Sequence, residues 1–395
     1  MRLVIVGNGV AAVNAALTAL KVRPNAEITV FSEEPYYYYP RPRLWEFLPG
    51  RLSLEQIYFY PPSWYEERGI TVQLGTSVVQ IKPTDKAVSL KNGQEASYDR
   101  LLLANGGLSY IPPIENVRKP GVFALRNVQD ALAIRAYAEQ ARSAVVIGGG
   151  LLGLESARGL KDLGLDVTVV EMAPWLLPRQ LDEPGAAILR QVFDGMGIKT
   201  ITGAITQAVE GERRATGILL KDGRRIPGEL ILVSAGVRSN TALAAAAGLQ
   251  VNRGVVVDEH MQTSAPDIYA AGDVIEFQQR SYGIIPAAIE QARVAGASLC
   301  GEPEPIYRGT VPANTLKVVG ISLTTVGTTD APNGNYREYR VSDSSRGLYK
   351  KLVVNNDKLV GAILLGFPKE TAHVTRLVRE QEPLDRPVEE LLQLN

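Results

Sequence analysis

A glycine-rich turn between a short apolar strand and a helix occurs twice in this chain of 395 residues. Each copy continues with a second strand and an acidic residue. Unbroken apolar runs of this length indicate strands that are buried on both faces of a parallel sheet. The first copy consists of the strand Leu3 to Val6, Gly7, Gly9, Ala12, a helix from Val10 to Lys21, the strand Glu27 to Phe31, and Glu33. The second copy consists of the strand Ala144 to Ile147, Gly148, Gly150, Gly153, a helix from Leu151 to Leu163, the strand Asp166 to Val170, and Glu171.

This order of residues suits the binding of a dinucleotide. In the first copy, Gly7 allows a tight turn, Gly9 lets the backbone approach a pyrophosphate, and the small Ala12 lets the helix pack closely on the strand. The helix N-terminus offers free N–H groups to the phosphates, and Glu33 can accept hydrogen bonds from ribose hydroxyls. A lone glycine turn occurs in many α/β proteins, but two complete units predict two dinucleotide sites.

The acid of the second copy also indicates which nicotinamide nucleotide binds. A carboxylate at Glu171 favours the 2′-hydroxyl of NADH and repels the 2′-phosphate of NADPH. No arginine directly follows it, although Arg179 could reach a phosphate if the loop folds back. Two sites could hold two nicotinamides, two flavins or one of each. Hydride chemistry favours one of each, because FAD can take a hydride and hand on single electrons.

Charge and cysteine content exclude several classes of protein. The 42 basic and 42 acidic side chains cancel, which argues against general binding to nucleic acid or an anionic membrane. The single cysteine, Cys300, rules out an internal disulfide or a CxxC pair, and we expect it to be a buried structural thiol. Cysteine poverty and the lack of a signal peptide or a long apolar stretch predict a cytoplasmic protein without a membrane span.

Further segments resemble the pyridine nucleotide–disulfide oxidoreductase superfamily over nearly the whole chain. Three segments resemble motifs of this superfamily: Ala104-Asn105-Gly106-Gly107, Ser234 to Asn240, and Thr263 to Val274, which includes Ala270-Ala271-Gly272-Asp273. Tyr39-Pro40-Arg41-Pro42-Arg43-Leu44 and Gly153-Leu154-Glu155 resemble one subgroup, the rubredoxin and ferredoxin reductases and the flavin part of nitrite reductase large subunits. Disulfide-reducing relatives carry a redox cysteine in the region after Glu33, and this chain has none there.

The resemblance implies an α/β fold with two Rossmann-like domains, arranged as in glutathione reductase, and a small α+β C-terminal domain. The FAD-binding domain would comprise residues 1–110 and 235–305. The NAD-binding domain, residues 111–234, would be inserted into it, and residues 306–395 would form a C-terminal interface domain.

The resemblance also assigns residues to each site. Asp273 would bind the ribityl chain of FAD, Arg41 its pyrophosphate, and Glu155 would approach the flavin ring near the nicotinamide. Some ferredoxin reductases place a lysine where this chain has Glu46, so their ion pair with the Gly-x-Glu carboxylate cannot form here. Expected FAD contacts are Gly7, Gly9, Val10, Ala11, Ala12, Glu33, Arg41, Val79, Ala104, Asn105, Gly106, Gly272 and Asp273. Expected NAD contacts are Gly148, Gly150, Leu152, Gly153, Glu171 and Gly236, and no metal site is expected.

These features predict an FAD-dependent NADH oxidoreductase whose electrons leave through the flavin. By resemblance, the acceptor is a small electron-transfer protein, rubredoxin or ferredoxin. Three alternatives stay open: an NADH oxidase that reduces oxygen, a redox-responsive FAD/NAD binding protein, and an isolated module of a nitrite-reducing assembly. The third domain could also pair two chains into a homodimer.

Overall fold

A computed structural model describes residues 1–302, 304–311, 313–318, 320–331, 334–384 and 387–394, without the side chains of residues 313–318. Residues 1–110 contain β1 (Arg2–Val6), α1 (Val10–Val22), β2 (Glu27–Phe31), α2 (Leu44–Phe47), α3 (Leu54–Ile57), α4 (Pro62–Glu66), β3 (Ile70–Gln73), β4 (Val78–Lys82), β5 (Ala87–Leu90), β6 (Glu95–Ser97), β7 (Arg100–Leu103) and β8 (Gly107–Ser109). Residues 111–236 contain β9 (Val122–Phe123), α5 (Val128–Ala138), β10 (Ser143–Ile147), α6 (Leu151–Asp162), β11 (Asp166–Val170), α7 (Glu183–Gly195), β12 (Lys199–Ile201), β13 (Thr206–Glu210), β14 (Gly217–Leu220), β15 (Arg225–Pro227) and β16 (Leu230–Val233). The remainder contains β17 (Val237–Ser239), α8 (Ala242–Ala246), β18 (Val255–Val256), β19 (Ile268–Ala270), β20 (Ile275–Glu276), α9 (Ile285–Leu299), β21 (Ala313–Val318), β22 (Ile321–Gly327), β23 (Tyr336–Asp343), β24 (Leu348–Asn355), β25 (Lys358–Leu365), α10 (Thr371–Glu380) and α11 (Val388–Leu391).

The chain divides into two compact units, each built from separate stretches of sequence. The first unit comprises Met1–Arg43, Leu52–Leu108 and Val237–Thr310. The second comprises Leu44–Arg51, Ser109–Gly236 and Val311–Asn395. The short segment Leu44–Arg51, which carries α2, therefore belongs to the second unit although both of its neighbours in sequence belong to the first.

The first unit is built on a parallel five-stranded sheet with the order β19-β7-β1-β2-β3. The predicted strand Glu27 to Phe31 has the observed bounds, and Val6 pairs with Phe31 at the ends of β1 and β2. Helices α1 and α9 pack closely through small residues. A Cβ atom added at Gly296 would lie 2.5 Å from the carbonyl oxygen of Ala15, so the two helices need glycine at this crossing.

The second unit repeats this arrangement in a sheet with the order β12-β11-β10-β16-β9, and all of its neighbouring strands are parallel. Here Ile147 pairs with Val170, as Val6 pairs with Phe31 in the first sheet. The strand ends therefore bring equivalent loops together in both sheets. This confirms the prediction of an α/β fold with two Rossmann-like sheets.

The C-terminal part of the second unit is an antiparallel sheet with the order β21-β22-β25-β24-β23. The hairpin between β24 and β25 turns at Asn356 and Asp357, both with positive φ. Helix α10 packs on this sheet. Lys351, buried on β24, lies 3.4 Å from Asp182 at the N-cap of α7, so this ion pair connects the antiparallel sheet to α7 within the same unit. Among the described residues, no helix is long and apolar enough to cross a bilayer.

Candidate functional site: two dinucleotide turns

The first glycine turn closes tightly between β1 and α1. The Gly7 N–H donates to the Phe31 carbonyl oxygen at 2.8 Å, and Gly7 has φ +102°. A Cβ atom there would collide with the carbonyl oxygen of Ala104, in the loop after β7. Gly9 caps α1, and nothing lies within 4 Å of where its Cβ would be. The N–H groups of Val10, Ala11 and Ala12, in the first turn of α1, have no acceptor within the helix.

Two loops from other strands lie beside this turn in the first unit. The loop after β7 contains Asn105, whose Nδ2 donates to the Asn240 carbonyl oxygen at 2.8 Å. The loop after β19 contains Gly272, with φ +88°, and its added Cβ would lie 3.0 Å from Ala11 Cβ. Asp273 follows, half-buried, and its carbonyl oxygen accepts from Ser239 Oγ at 2.6 Å. The structure thus gathers Gly7, Gly9, Val10, Ala11, Ala12, Ala104, Asn105, Gly106, Gly272 and Asp273 at the carboxyl edge of one sheet.

The segment that follows β2 carries Glu33 and Arg41, the residues expected at the ribose and the pyrophosphate of FAD. Glu33 is exposed there. The next residue, Glu34, accepts from both Arg41 and Tyr39, and Arg41 Nη1 also donates to Tyr39 Oη at 2.6 Å. Val79, the remaining predicted FAD contact, lies on a different sheet, on β4, with 53% of its surface exposed. Its role in FAD binding stays a prediction, as does that of Arg41.

The polar atoms of this edge fit a bound dinucleotide. Two buried side-chain atoms lack a hydrogen-bond partner among the described residues: Asn8 Nδ2 in the glycine turn and Asn105 Oδ1 in the loop after β7. A buried amide atom without a partner costs about 1–3 kcal/mol. A donor and an acceptor left over at one sheet edge are therefore available to a ligand with both phosphate and hydroxyl groups.

The second turn has the same backbone geometry. The Gly148 N–H donates to the Val170 carbonyl oxygen at 2.8 Å, Gly148 has φ +118°, and a Cβ there would collide with the Ser234 carbonyl oxygen. Gly150 caps α6 and faces open space. A Cβ at Gly153 would collide with the Gly148 carbonyl oxygen, which explains why only glycine fits this position. Leu152 lies in the first turn of α6, and Gly236, with φ +109°, ends the loop after β16.

Glu171 holds the second turn together. Its two carboxylate oxygens accept from the Gly149 and Ala173 N–H groups, each at 2.6 Å. The next residue, Met172, is 69% exposed, and Arg179 is also exposed. The Leu177 N–H donates to the Gly149 carbonyl oxygen at 3.0 Å, so the loop after β11 does fold back on the glycine turn. Hydrogen bonds to Glu171 and from Leu177 thus stabilise the turn at Gly149, and the Glu171 carboxylate lies directly beside it.

Glu155 on α6 is a buried carboxyl with 5% exposure. Burial and the negative charge of Glu46 on α2 raise its pKa from about 4.5 to about 8. Glu46 stands where some ferredoxin reductases have a lysine, and its negative charge disfavours ionisation of Glu155.

Cys300 ends α9 as a buried free thiol, as predicted. Its Sγ lies 3.5 Å from the Ala19 carbonyl oxygen, and burial raises its pKa. A protonated, buried thiol is a poor nucleophile.

Two polar residues of the first site were not predicted. Gln291 of α9 is fully buried, and its Oε1 accepts from the Gly272 N–H at 3.0 Å, which fixes the loop that carries Asp273. The other is Asn8, whose buried Nδ2 has no hydrogen-bond partner among the described residues. The available signal was a glutamine among the alanines of α9, because a buried amide in a helix usually has a specific partner.

Family comparisons match both parts of the chain. Residues 1–292 match the family model of the pyridine nucleotide-disulphide oxidoreductases. Residues 312–382 match the model of the rubredoxin NAD+ reductase C-terminal domain.

Individual relatives differ in how much of their own length this chain covers. A nitrite reductase [NAD(P)H] of Bacillus subtilis (strain 168) is 35% identical over 96% of this chain but 47% of its own length. The chain spans about half the length of such nitrite reductase relatives. An NADH-rubredoxin oxidoreductase of Clostridium acetobutylicum is 30% identical over 92% of both chains. In a solved covalent putidaredoxin reductase–putidaredoxin complex, a chain 28% identical superposes with a TM-score of 0.87, covering 100% of this chain and 96% of that one.

Proposed function

Because the chain belongs to the pyridine nucleotide-disulphide oxidoreductase family, whose cofactors are FAD and NAD(H), we propose that it oxidises NADH and passes the electrons through FAD to a small electron-transfer protein. The acceptor would be a rubredoxin or ferredoxin. One observation carries this proposal: two complete dinucleotide turns occur in a chain whose only cysteine is the buried Cys300. With no thiol pair to receive them, the electrons must leave from the flavin.

When bound, FAD supplies a ring that accepts a hydride and gives up single electrons. The residues of the first turn would hold its phosphates, with Asp273 and Asn105 at its sugar portions. The second turn would hold NADH, with Glu171 accepting from the adenosine ribose hydroxyls. Hydride transfer needs no acid or base, so these residues act by holding the reactants in position and by excluding water.

The similarity to the NADH-rubredoxin oxidoreductase and to the putidaredoxin reductase supports an electron carrier as the partner of this chain. The NADH-rubredoxin oxidoreductase is matched over nearly its full length, including the C-terminal domain. The nitrite reductase relatives extend well beyond the matched region, so a role as a module of a larger assembly is the second candidate. Direct reduction of oxygen is the third, because it also needs no thiol. A single buried cysteine favours a reducing, cytoplasmic setting.

The test is to add NADH anaerobically to the flavin-loaded protein and follow the flavin absorbance. We expect rapid bleaching with NADH, slower bleaching with NADPH, and re-oxidation by added rubredoxin or ferredoxin that is faster than re-oxidation by dissolved oxygen. Absence of bleaching would overturn the hydride step. Bleaching followed by faster re-oxidation with oxygen than with either iron protein would replace the electron-transfer role by that of an oxidase.

A further inference from the structure

A buried glutamine on α9 connects the loop after β19 with the last segment of the first unit. Gln291 is 1% exposed, and its Oε1 accepts from the Gly272 N–H at 3.0 Å. Its Nε2 donates to Tyr307 Oη at 3.2 Å. Tyr307 lies in residues 307–310, here called the exit segment, after which the chain continues into the second unit. One side chain therefore joins the exit segment to the loop that carries Asp273.

The exit segment continues this contact as far as a carboxylate on α9. Tyr307 Oη lies 2.7 Å from Thr310 Oγ1, and Thr310 Oγ1 donates to Glu290 Oε2 at 2.5 Å. Tyr307 and Thr310 are both buried, whereas Glu290 is half-buried. Four hydrogen bonds in series thus connect the Gly272 N–H to Glu290, through Gln291 and the two hydroxyl groups.

All four hydrogen bonds run in the same direction. The Gly272 N–H can only donate, so the amide oxygen of Gln291 faces Gly272 and its amide nitrogen faces Tyr307. The single hydrogen of Thr310 Oγ1 goes to the Glu290 carboxylate, so Tyr307 must donate to Thr310. Burial raises the pKa of Tyr307 to about 12, so the phenol keeps this hydrogen at neutral pH. Hydrogen bonds aligned in series polarise one another, so the loss of one weakens the others.

Backbone contacts fix the exit segment on the rest of the first unit. The Tyr307 N–H donates to the Glu259 carbonyl oxygen at 2.8 Å, and the Thr310 N–H donates to Tyr282 Oη at 3.3 Å. Gly309 has φ +99°, and a Cβ atom added there would lie 2.9 Å from Tyr282 Oη. The Tyr307 hydroxyl is therefore held in place by its own segment.

The loop after β19 is held at two successive residues. The Gly272 N–H donates to Gln291, and the Asp273 carbonyl oxygen accepts from Ser239 Oγ at 2.6 Å. A loop that already has its bound conformation loses less conformational entropy when a ligand binds. Ligand affinity falls in proportion to the population of that conformation, so contacts that hold the loop raise affinity without touching the ligand.

We propose that the exit segment is part of the FAD site, and that Tyr307 and Thr310 are positioning residues that hold the Gly272-Asp273 loop, through Gln291, in its FAD-binding conformation. This inference rests on the proposed function, because it takes FAD as the ligand of the first turn. The segment that leads into the second unit then contributes to cofactor affinity although its side chains act only through α9.

The first test removes the Tyr307 hydroxyl and keeps the ring. In Tyr307→Phe the amide nitrogen of Gln291 loses its acceptor, so the Kd for FAD should rise about tenfold. Titration of the flavin-free full chain, followed by flavin fluorescence, measures this Kd. The control is Tyr98→Phe, at a fully buried tyrosine of the first unit whose hydroxyl has no partner among the described residues, and it should bind FAD like the wild type.

Urea unfolding of the flavin-free chain separates positioning from stability alone. If Tyr307 only stabilised the fold, Tyr307→Phe would lower the urea midpoint and leave the Kd for FAD unchanged. That result would overturn the proposal.

The second test asks whether the hydroxyl groups act through the glutamine. Gln291→Met removes both of its hydrogen bonds and should raise the Kd for FAD about thirtyfold. Tyr307→Phe added to Gln291→Met should cause no further loss, because the hydroxyl then has no amide to hold. Effects of the two substitutions that simply multiply would overturn the connection between them.

The third test compares two substitutions at Thr310. Thr310→Val keeps the shape of the side chain but removes the acceptor for Tyr307, so the Kd for FAD should rise about fivefold. Thr310→Ser keeps the hydroxyl and should recover the affinity that Thr310→Val loses. Equal losses in the two variants would show that packing, and not the hydrogen bond, is what matters at this position, against the proposal.

Hydrogen exchange tests the same contacts without any cofactor. In the flavin-free full chain, mass spectrometry of peptides that contain Gly272 should show faster exchange in Tyr307→Phe than in the wild type or in Tyr98→Phe. Unchanged exchange would overturn the connection, whatever ligand the first turn binds. A wild type that binds no FAD would instead overturn the proposed function, and with it the role of this segment in FAD affinity.

Discussion

The two glycine turns share their backbone and differ in their side chains. Gly7 and Gly148 both have positive φ, and both donate to the last residue of the neighbouring strand. The residue that follows that strand is Glu171 in the second turn, where it accepts two backbone N–H groups, but Ser32 in the first, where the acid Glu33 comes one position later and is exposed. The strand–turn–helix geometry is therefore fixed by glycines and parallel pairing, while the adjoining acid sets how each turn is braced.

The helices after the turns differ at equivalent positions as well. Counted from the caps Gly9 and Gly150, the fifth helical residue is Asn14 in α1 and Glu155 in α6. Asn14 Nδ2 donates to the Val10 carbonyl oxygen at 2.8 Å and carries no charge. The second helix thus has a buried acid without a hydrogen-bond or ion-pair partner in the described part of the chain, where the first has an amide that donates to its own helix. The two equivalent positions therefore serve different purposes.

The largest effect is expected from Gly7→Ala and Gly148→Ala. Each variant adds a Cβ at positive φ against a backbone carbonyl, and strain plus overpacking together cost about 4 kcal/mol, roughly a thousandfold in an equilibrium. Gly7→Ala should be purified without flavin, as measured by the ratio of flavin to protein absorbance. Gly148→Ala should keep its flavin but lose rapid anaerobic bleaching by NADH.

Two glycines serve as controls for this pair. Gly75 in the first unit and Gly164 in the second also have positive φ, but an added Cβ would meet open space. Their alanine variants should show the cost of the backbone conformation alone and keep both flavin and NADH bleaching. If Gly148→Ala lost flavin as completely as Gly7→Ala, the assignment of separate sites to the two turns would be wrong.

The next prediction concerns how the free energy of unfolding depends on pH. It tests the difference between Glu155 in α6 and the uncharged Asn14 at the equivalent position of α1. The folded pKa of Glu155 is raised to about 8, so from about pH 4.5 upwards the unfolded chain loses this proton while the folded chain keeps it. The free energy of unfolding should therefore fall by about 1.4 kcal/mol per pH unit from this group until about pH 8, and then level off. Glu155→Gln should match the wild type below about pH 4.5, and near pH 8 its free energy of unfolding in urea should exceed that of the wild type by about 4–5 kcal/mol.

The matched control is Glu139→Gln, at the exposed C-cap position after α5, whose urea midpoint should follow the wild type at every pH. A wild type and a Glu155→Gln variant that differ by a constant amount across the whole range would show that Glu155 is ionised in the folded protein.

How much of the structure the sequence could predict depends on how far apart the interacting residues lie in the sequence. Strands β2 and β11 have the predicted bounds because their apolar runs and the glycines before them are local signals. The raised pKa of Glu155 depends on burial where α2 packs against α6, more than a hundred positions away in sequence, so the sequence could show only that Glu46 stands where some ferredoxin reductases have a lysine. The contact between Gln291 and Gly272 likewise depends on how α9 lies beside a loop.

A smaller effect is expected at the third position of each motif. Gly153→Ala adds a Cβ that collides with the Gly148 carbonyl oxygen, so α6 must move away from β10 at a cost of about 2–3 kcal/mol. The reverse change, Ala12→Gly, removes a fully buried methyl group from α1 and should cost about 1 kcal/mol. Urea unfolding measures both, and equal losses would show that the two helices pack at the same distance from their strands.

The smallest effects are expected at Glu171 and Glu33. They test whether the hydrogen bonds that Glu171 accepts from the turn contribute to nucleotide binding. Glu171→Gln leaves one oxygen to accept from either the Gly149 or the Ala173 N–H, and it removes the charge that favours ribose hydroxyls, so KM for NADH should rise about tenfold. Glu33→Gln lacks any bracing role to lose, since Glu33 is exposed, and FAD affinity should fall only about threefold. Steady-state kinetics and flavin release on dilution measure the two changes. The Glu171 carboxylate accepts backbone hydrogen bonds in the second turn, whereas Glu33 is exposed beside the first. If Glu33→Gln weakened FAD binding as much as Glu171→Gln weakened NADH binding, both acids would act only through the ribose.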